Sequence, residues 1–207
     1  MNETQNEMLE SKLLDKVVKN SMFMLLFSLS ITIFLSLVTF NPDDQGWGVV
    51  SVNESTNFFG ETGAWVSGLI IREFGFLTGL LFVSVLFIWS LKFFNSSTIN
   101  FIKLKTLSLL LMIIAGSFGD AYLEILTSEF ISSQIFTIFQ EGYSDWIFIF
   151  VSENVSNLLG TDSLNSSHIL GISSLSISLA MFVWISSLGP AEINFFKFIL
   201  GPVIKPL

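Results

Sequence analysis

The chain has 207 residues and a formal net charge of −8; it is 51% hydrophobic and 13% charged, about half the charged share of a soluble domain. With a mean hydropathy of +0.71 it reads as a polytopic membrane protein with little room for a separate soluble core. The absence of Cys and the single His exclude disulfides, thiol catalysis, Cys-based zinc sites and multi-histidine metal sites, and the acidic balance argues against direct nucleic-acid binding, which needs clustered Lys and Arg.

Residues 1–20 form an N-terminal segment carrying Glu3, Glu7, Glu10, Lys12, Asp15, Lys16 and Lys19. Leu9, Leu13, Leu14, Val17 and Val18 recur at helical spacing. The pattern predicts a short amphipathic helix on the membrane surface, with a solvated tail as an equal alternative. Residues 21–40 carry no charge. At about 1.5 Å per residue they make about 30 Å of helix, the thickness of a bilayer's hydrocarbon core. The run is longer than a signal-peptide core of about 7–15 residues, and no Ala-x-Ala site follows it, so it reads as a retained anchor.

The first loop covers residues 41–73. Pro42 pushes Asn41 out of the helical region and ends the first span. Asp43 and Asp44 cannot follow the helix into lipid. As an acid–base pair they are outweighed by the plainer reading of solvated charges that end a helix. They are expected to stand free for an external partner. Trp47 and Trp65 suit the headgroup layer, where an apolar ring with one N–H is best solvated. Gly60, Gly63 and Ala64 open a second helical segment. Residues 63–72 are apolar but too few to span, which predicts an interfacial or re-entrant helix.

The second span is residues 74–94, uncharged up to Lys92, which is expected to snorkel at the end. Gly75 and Gly79, four apart, are candidates for close helix packing. A polar turn follows at Asn95-Ser96-Ser97-Thr98. The third span covers residues 101–119, with Lys103 and Lys105 at its starting edge and Asp120 closing its neutral run. The second loop, residues 120–168, holds an amphipathic stretch from Tyr143 to Leu159. Ile147, Phe148, Val151, Val155, Leu158 and Leu159 fall on one face, and Asp145, Ser152, Glu153, Ser156 and Asn157 on the other. This echoes the first half of the chain as a weak twofold repeat of span, surface helix, span. The fourth span, residues 169–188, carries a stripe of Gly171, Ser174 and Ser178 suited to helix packing. Gly189-Pro190 stops it. Residues 189–207 read as a surface-lying segment with Phe195, Phe196 and Phe198.

Lys and Arg flanking spans stay cytoplasmic. Eight of the nine basic residues fall on one side of a four-span layout, and only Arg72 lies in a long loop. Both termini are therefore expected inside, with the two acidic loops outside.

The stretch Thr39-Phe40-Asn41-Pro42-x-Asp44-x-x-Trp47, then Gly60-x-x-Gly63-Ala64-Trp65 and Phe74-Gly75, resembles the N-terminal membrane domain of FtsK/SpoIIIE-type DNA translocases. That family usually reads Asp-Pro-Ser-Trp at the turn, and here Gln45-Gly46 replaces Pro-Ser between Asp44 and Trp47. The resemblance implies an all-α, four-span domain that tethers an ATP-driven DNA motor at the bacterial division septum, contacts division-site membrane proteins and self-associates. ATP and DNA would belong to the full-length protein. For this chain it implies no cofactor and no direct nucleic-acid partner.

No catalytic constellation stands out. His168, at a span edge, reads as a plain interfacial residue. No phosphate loop of the Gly-x4-Gly-Lys-Ser/Thr type is present. Transport is the rival reading, as a stand-alone carrier, channel or accessory subunit. Ion-coupled carriers usually hold ionisable groups within their spans, and the predicted span cores contain none. The candidate interaction residues are Asn41, Pro42, Asp43, Asp44, Trp47, Gly60, Gly63 and Trp65. The candidate packing residues are Gly75, Gly79, Gly171, Ser174 and Ser178.

Overall fold

The computed structural model describes residues 3–52, 54–95, 99–130, 143–160 and 162–187. The expected polar turn at Ser96-Ser97-Thr98 and the segment of residues 189–207 lie outside the described residues. Among these there are six helices: α1 (Glu3–Val38), α2 (Gly60–Phe74), α3 (Phe76–Phe94), α4 (Ile102–Phe130), α5 (Tyr143–Leu159) and α6 (Ser163–Ser186). Four contain stretches long and apolar enough to cross a membrane: Glu10–Val38, Phe76–Phe94, Ile102–Leu126 and Ser163–Ser186. The chain is an all-helical, four-span membrane domain with a short helix in each long loop.

The N-terminal segment does not form a separate surface helix. It continues into the first span as one helix, α1, of 36 residues. No Pro or Gly lies between Glu3 and Val38, so nothing breaks the run of i→i−4 hydrogen bonds. A Lys19–Asp15 ion pair of 2.7 Å lies on its surface one turn apart, the spacing at which helical side chains meet.

α1 packs mainly on α3, and α4 on α6. The element order span, short helix, span thus occurs twice. Ile33 and Leu37 of α1 bury themselves against Ile71 of α2 and against Val83 and Leu86 of α3. A second cluster joins Val85 and Trp89 of α3 to Leu109 and Met112 of α4 and Ile185 of α6. The third holds Ala121 and Tyr122 of α4 against Phe148 of α5. The spans tolerate many serines because the hydroxyls bond back to a carbonyl three or four residues earlier, as from Ser30 to Phe27 and from Ser84 to Leu80. In hydrocarbon each polar group needs such an internal partner.

Two further expectations are corrected. In α5, Phe148 and Ser152 are buried while Ile147, Leu158 and Leu159 are exposed. Residues 147–151 are all apolar, so the helix is apolar on more than one side, and one part of that surface meets protein while the rest faces away. Lys92 does not snorkel outward. It is 7% exposed and donates to the Ser187 carbonyl at 2.8 Å.

Candidate functional site

The site is built at the end of the bundle where α1 stops. Thr39 and Phe40 still bond to Leu35 and Leu37, and the chain then turns at Asn41-Pro42. The Asn41 side-chain oxygen accepts from the Asp43 N–H at 3.1 Å, a local turn that its short side chain can close. Its amide donates to the Thr56 hydroxyl at 3.0 Å.

Asp44 is the hub of this loop. It is 5% exposed, which corrects the expectation that it stands free for a partner; Asp43 remains exposed. The Asp44 carboxylate accepts from the Thr56 N–H at 2.9 Å, the Thr56 hydroxyl at 3.0 Å, the Ser55 hydroxyl at 3.1 Å and the Asn57 N–H at 2.9 Å. Burial pushes its pKa up, but these bonds from Thr56, Ser55 and Asn57 outweigh burial and hold it below the usual 3.8. Asn57, 5% exposed, carries the fixation down to the spans. Its amide donates to the Ser36 carbonyl at 2.9 Å and the Thr39 carbonyl at 3.2 Å, two of the carbonyls left unpaired where α1 ends. Gly63 sits against Asn57 so closely that any Cβ there would collide with its side-chain oxygen. Gly60 has open space around it but a φ of +61°, so its need is conformational.

The turn at Gly46-Trp47-Gly48 lies along α2. Gly46 and Val49 form an isolated β-bridge. Trp47 stands edge-on to Trp65, with ring centroids 4.9 Å apart. Its indole N–H donates to Glu73 Oε1 at 2.6 Å. Pro42 is partly buried and makes the exit from α1.

The second half of the chain reaches the same end through Asp120 of α4. Its carboxylate, 4% exposed, accepts from the Leu77 N–H at 3.2 Å, the Thr78 N–H at 2.8 Å and the Thr78 hydroxyl at 2.7 Å. The first amides of a helix have no intrahelical acceptor, and here a carboxylate from another helix supplies one, where the helix dipole also favours negative charge. Gly75 links α2 to α3 with φ 91° and ψ 159°, a conformation essentially reserved for glycine. A Cβ there would collide with Asp120.

The other packing candidates meet neighbours within the chain. A Cβ on Gly79 would lie 2.7 Å from Ile70, and one on Gly171 would collide with the Tyr122 ring. Ser178 donates to the Met112 carbonyl at 3.2 Å, and Ser174 is buried. Two glycines of α4 belong with them although sequence reading passed over them: Gly116 faces Thr78 and Ser178, and Gly119 faces Leu175. His168 accepts from or donates to the Tyr122 hydroxyl at 2.9 Å through Nδ1, with the two rings edge to face.

A family model, the 4TM region of DNA translocase FtsK/SpoIIIE, matches residues 15–134. The chain belongs to this family. No curated protein and no solved structure matches it. The matched region runs from α1 through α4, so it contains the Asp44 hub, the Gly75 junction and Asp120; the fourth span, α6, is seen in the structure beyond it. For this FtsK/SpoIIIE membrane region the missing signals were Asn57, Glu73 and Asp120, each a polar residue whose partner lies far along the chain. Among the described residues no group of three or more His, Cys, Asp or Glu could hold a metal ion. The arrangement is a braced loop platform: its polar groups are spent on one another and on helix ends.

Proposed function

We propose that this chain is the membrane-anchoring and assembly domain of an FtsK-type DNA translocase. It would tether an ATP-driven DNA motor at the division septum and link division with chromosome segregation. The observation that carries this is the family match across three spans and the braced loop. The segregation of basic residues supports a bacterial cytoplasmic-membrane location with both termini inside and the platform outside. In that setting the platform presents Asp43, Phe58 and the edge of Trp65 to division-site membrane proteins, while Asp44 and Asn57 hold its shape. The domain itself acts without catalysis, cofactor or direct nucleic-acid contact, and its self-association would gather motors at one place.

The test is localisation. The chain, fused at its N-terminus to a fluorescent protein and expressed in a dividing bacterium, should collect in a band at mid-cell and cross-link to division membrane proteins. Uniform membrane fluorescence with no such cross-links would overturn the proposal.

A further inference from the structure

Arg72 is the sole cation between Lys19 and Lys92. It sits in the last turn of α2, four residues before the span Phe76–Phe94 begins, and so at the depth where span meets water. The Gly46-Trp47-Gly48 turn runs along one face of α2, marked at intervals of four by Ala64, Gly68 and Arg72. A Cβ on Gly46 would lie 2.9 Å from the Ala64 carbonyl oxygen, one on Gly68 3.5 Å from the Trp47 nitrogen, and one on Gly48 3.5 Å from Arg72 Nη1. The guanidinium therefore rests beside a residue with no side chain to engage it.

Among the described residues no carboxylate lies within ion-pair distance of its guanidinium. Lys19 and Asp15 do form such a pair. The adjacent Glu73 instead accepts from the Trp47 indole N–H through Oε1. Arg72 Nε is the one buried side-chain nitrogen or oxygen without a hydrogen-bond partner among the described residues. Burial, the larger influence, draws the guanidinium pKa down, and the Glu73 charge opposes it; arginine stays charged regardless. Nε is buried while the residue as a whole is partly exposed, and the terminal nitrogens of a guanidinium can fork onto two oxygens of a phosphate.

We propose that Arg72 binds the phosphate of a phospholipid headgroup in the leaflet at this end of the bundle. A lipid, rather than free phosphate, fits because Arg72 lies four residues before a membrane-spanning helix, and Trp65, two turns back along the same side of α2, is 49% exposed. Its ring offers contact to the glycerol and upper acyl region beside the phosphate. The inference needs only the membrane embedding and is independent of any role in division.

The test uses the full chain in dodecyl maltoside, which contains no phosphate, titrated with dioleoyl phosphatidylglycerol. Thermal midpoint and retained lipid by native mass spectrometry are the readouts. The parent should gain stability and retain lipid. Arg72→Gln should bind roughly tenfold more weakly, the loss expected for hydrogen bonds to a charged group. Arg72→Lys should fall between, a point charge replacing a fork. Lys103→Gln, at the opposite end, should titrate like the parent, and inorganic phosphate or a phosphate-free glucosyl diacylglycerol should give no Arg72-dependent shift. Parent-like titration of both Arg72 variants would overturn the site. An equal, Arg72-dependent shift with inorganic phosphate would overturn the lipid assignment in favour of a free anion. If Arg72→Gln does not fold, Arg72→Lys decides alone: a weakened titration supports the fork, and an unchanged one refutes it.

Discussion

The two ends of the bundle solve the same problem in different ways. At the loop end, Asp120 receives the free amides at the start of α3. At the opposite end, α6 stops at Ser187, which takes a left-handed conformation, and three donors converge on its last turn. Lys92 donates to the Ser187 carbonyl, Lys105 to the Ser187 hydroxyl, and the Trp89 indole to the Ile185 carbonyl. Each end sets a charge of the proper sign against a helix dipole. The loop end, however, depends on short side chains and backbone held at one geometry, whereas the lysine end relies on two long side chains that can adjust. Tolerance to change should therefore differ sharply between the ends.

The largest loss is expected from Gly75→Ala, at the loop end. The substitution adds strain at a glycine-only conformation and a collision with the carboxylate that caps α3. Together these should cost about 3 kcal/mol or more, read as a fall in thermal midpoint in detergent. Gly60→Ala supplies the contrast: its φ is also positive, but it has nothing within 4 Å, so only conformational strain of about 1–2 kcal/mol applies. Equal losses for the two would show that the Asp120 contact does not matter.

Asp120→Ala comes next. It leaves the Thr78 N–H and hydroxyl buried without an acceptor and also strips the Leu77 N–H, at about 1–3 kcal/mol for each unmet buried group. Asp120→Asn keeps one acceptor oxygen and should recover part of the loss. Protection of α3's first amides against hydrogen exchange is the readout that locates the effect. Unchanged protection in Asp120→Ala would mean that water replaces the carboxylate.

The elements of this contrast were unequally legible in the sequence. Four spans follow from uncharged runs, and Pro42 marks the exit of α1, because hydropathy and proline act locally. The short helix at Tyr143–Leu159 was found with its bounds, since glycine and the change of period delimit it. Its facing was not legible: Ile147 to Val151 are all apolar, and periodicity cannot distinguish a side chain that meets protein from one that meets lipid. The role of Asp44 escaped for a different reason. A pair of aspartates after a span looks solvated, and only the return of Ser55, Thr56 and Asn57 across the turn buries one and leaves the other outside. Asp120 finds its partners 42 and 43 residues back along the chain. Gly75 was singled out as a packing residue, but its neighbour could not be named from spacing.

Asp44→Asn should have an intermediate effect. The amide presents a donor towards Ser55, Thr56 and Asn57, which already donate, and about 2 kcal/mol of loop stability should go. The pH dependence has a definite sign. A carboxyl whose folded pKa lies below its ordinary 3.8 contributes stability that is present above that value and is lost as pH falls through the lowered one. Proteolysis of residues 41–59 should thus be slow at pH 5 and accelerate below about pH 3.8 in the parent. In Asp44→Asn it should be fast at both. A parent loop cleaved at pH 5 as fast as that of Asp44→Asn would exclude Asp44 as its hub.

The smallest effect is expected at the lysine end. Lys105→Gln removes a charge from the C-terminal dipole of α6 and from its position over the Trp184 ring, 6.0 Å from the centroid, but leaves a side chain able to donate to Ser187. Lys92 and Trp89 still hold the last turn, so the loss should be about 1 kcal/mol, the scale of a partly buried charge at a helix end. Because Lys105 and Asp44 stand at opposite ends of spans about 30 Å long and share no partner, Asp44→Asn and Lys105→Gln should add to within about 0.5 kcal/mol in the double variant. Their local readouts should also stay separate: faster proteolysis of residues 41–59 from the first, and weaker exchange protection of the last turn of α6 from the second. A larger non-additive term would mean that the ends communicate through the packed pair of α4 and α6. The lysine end would then belong to the platform's support and not merely to the closure of one helix.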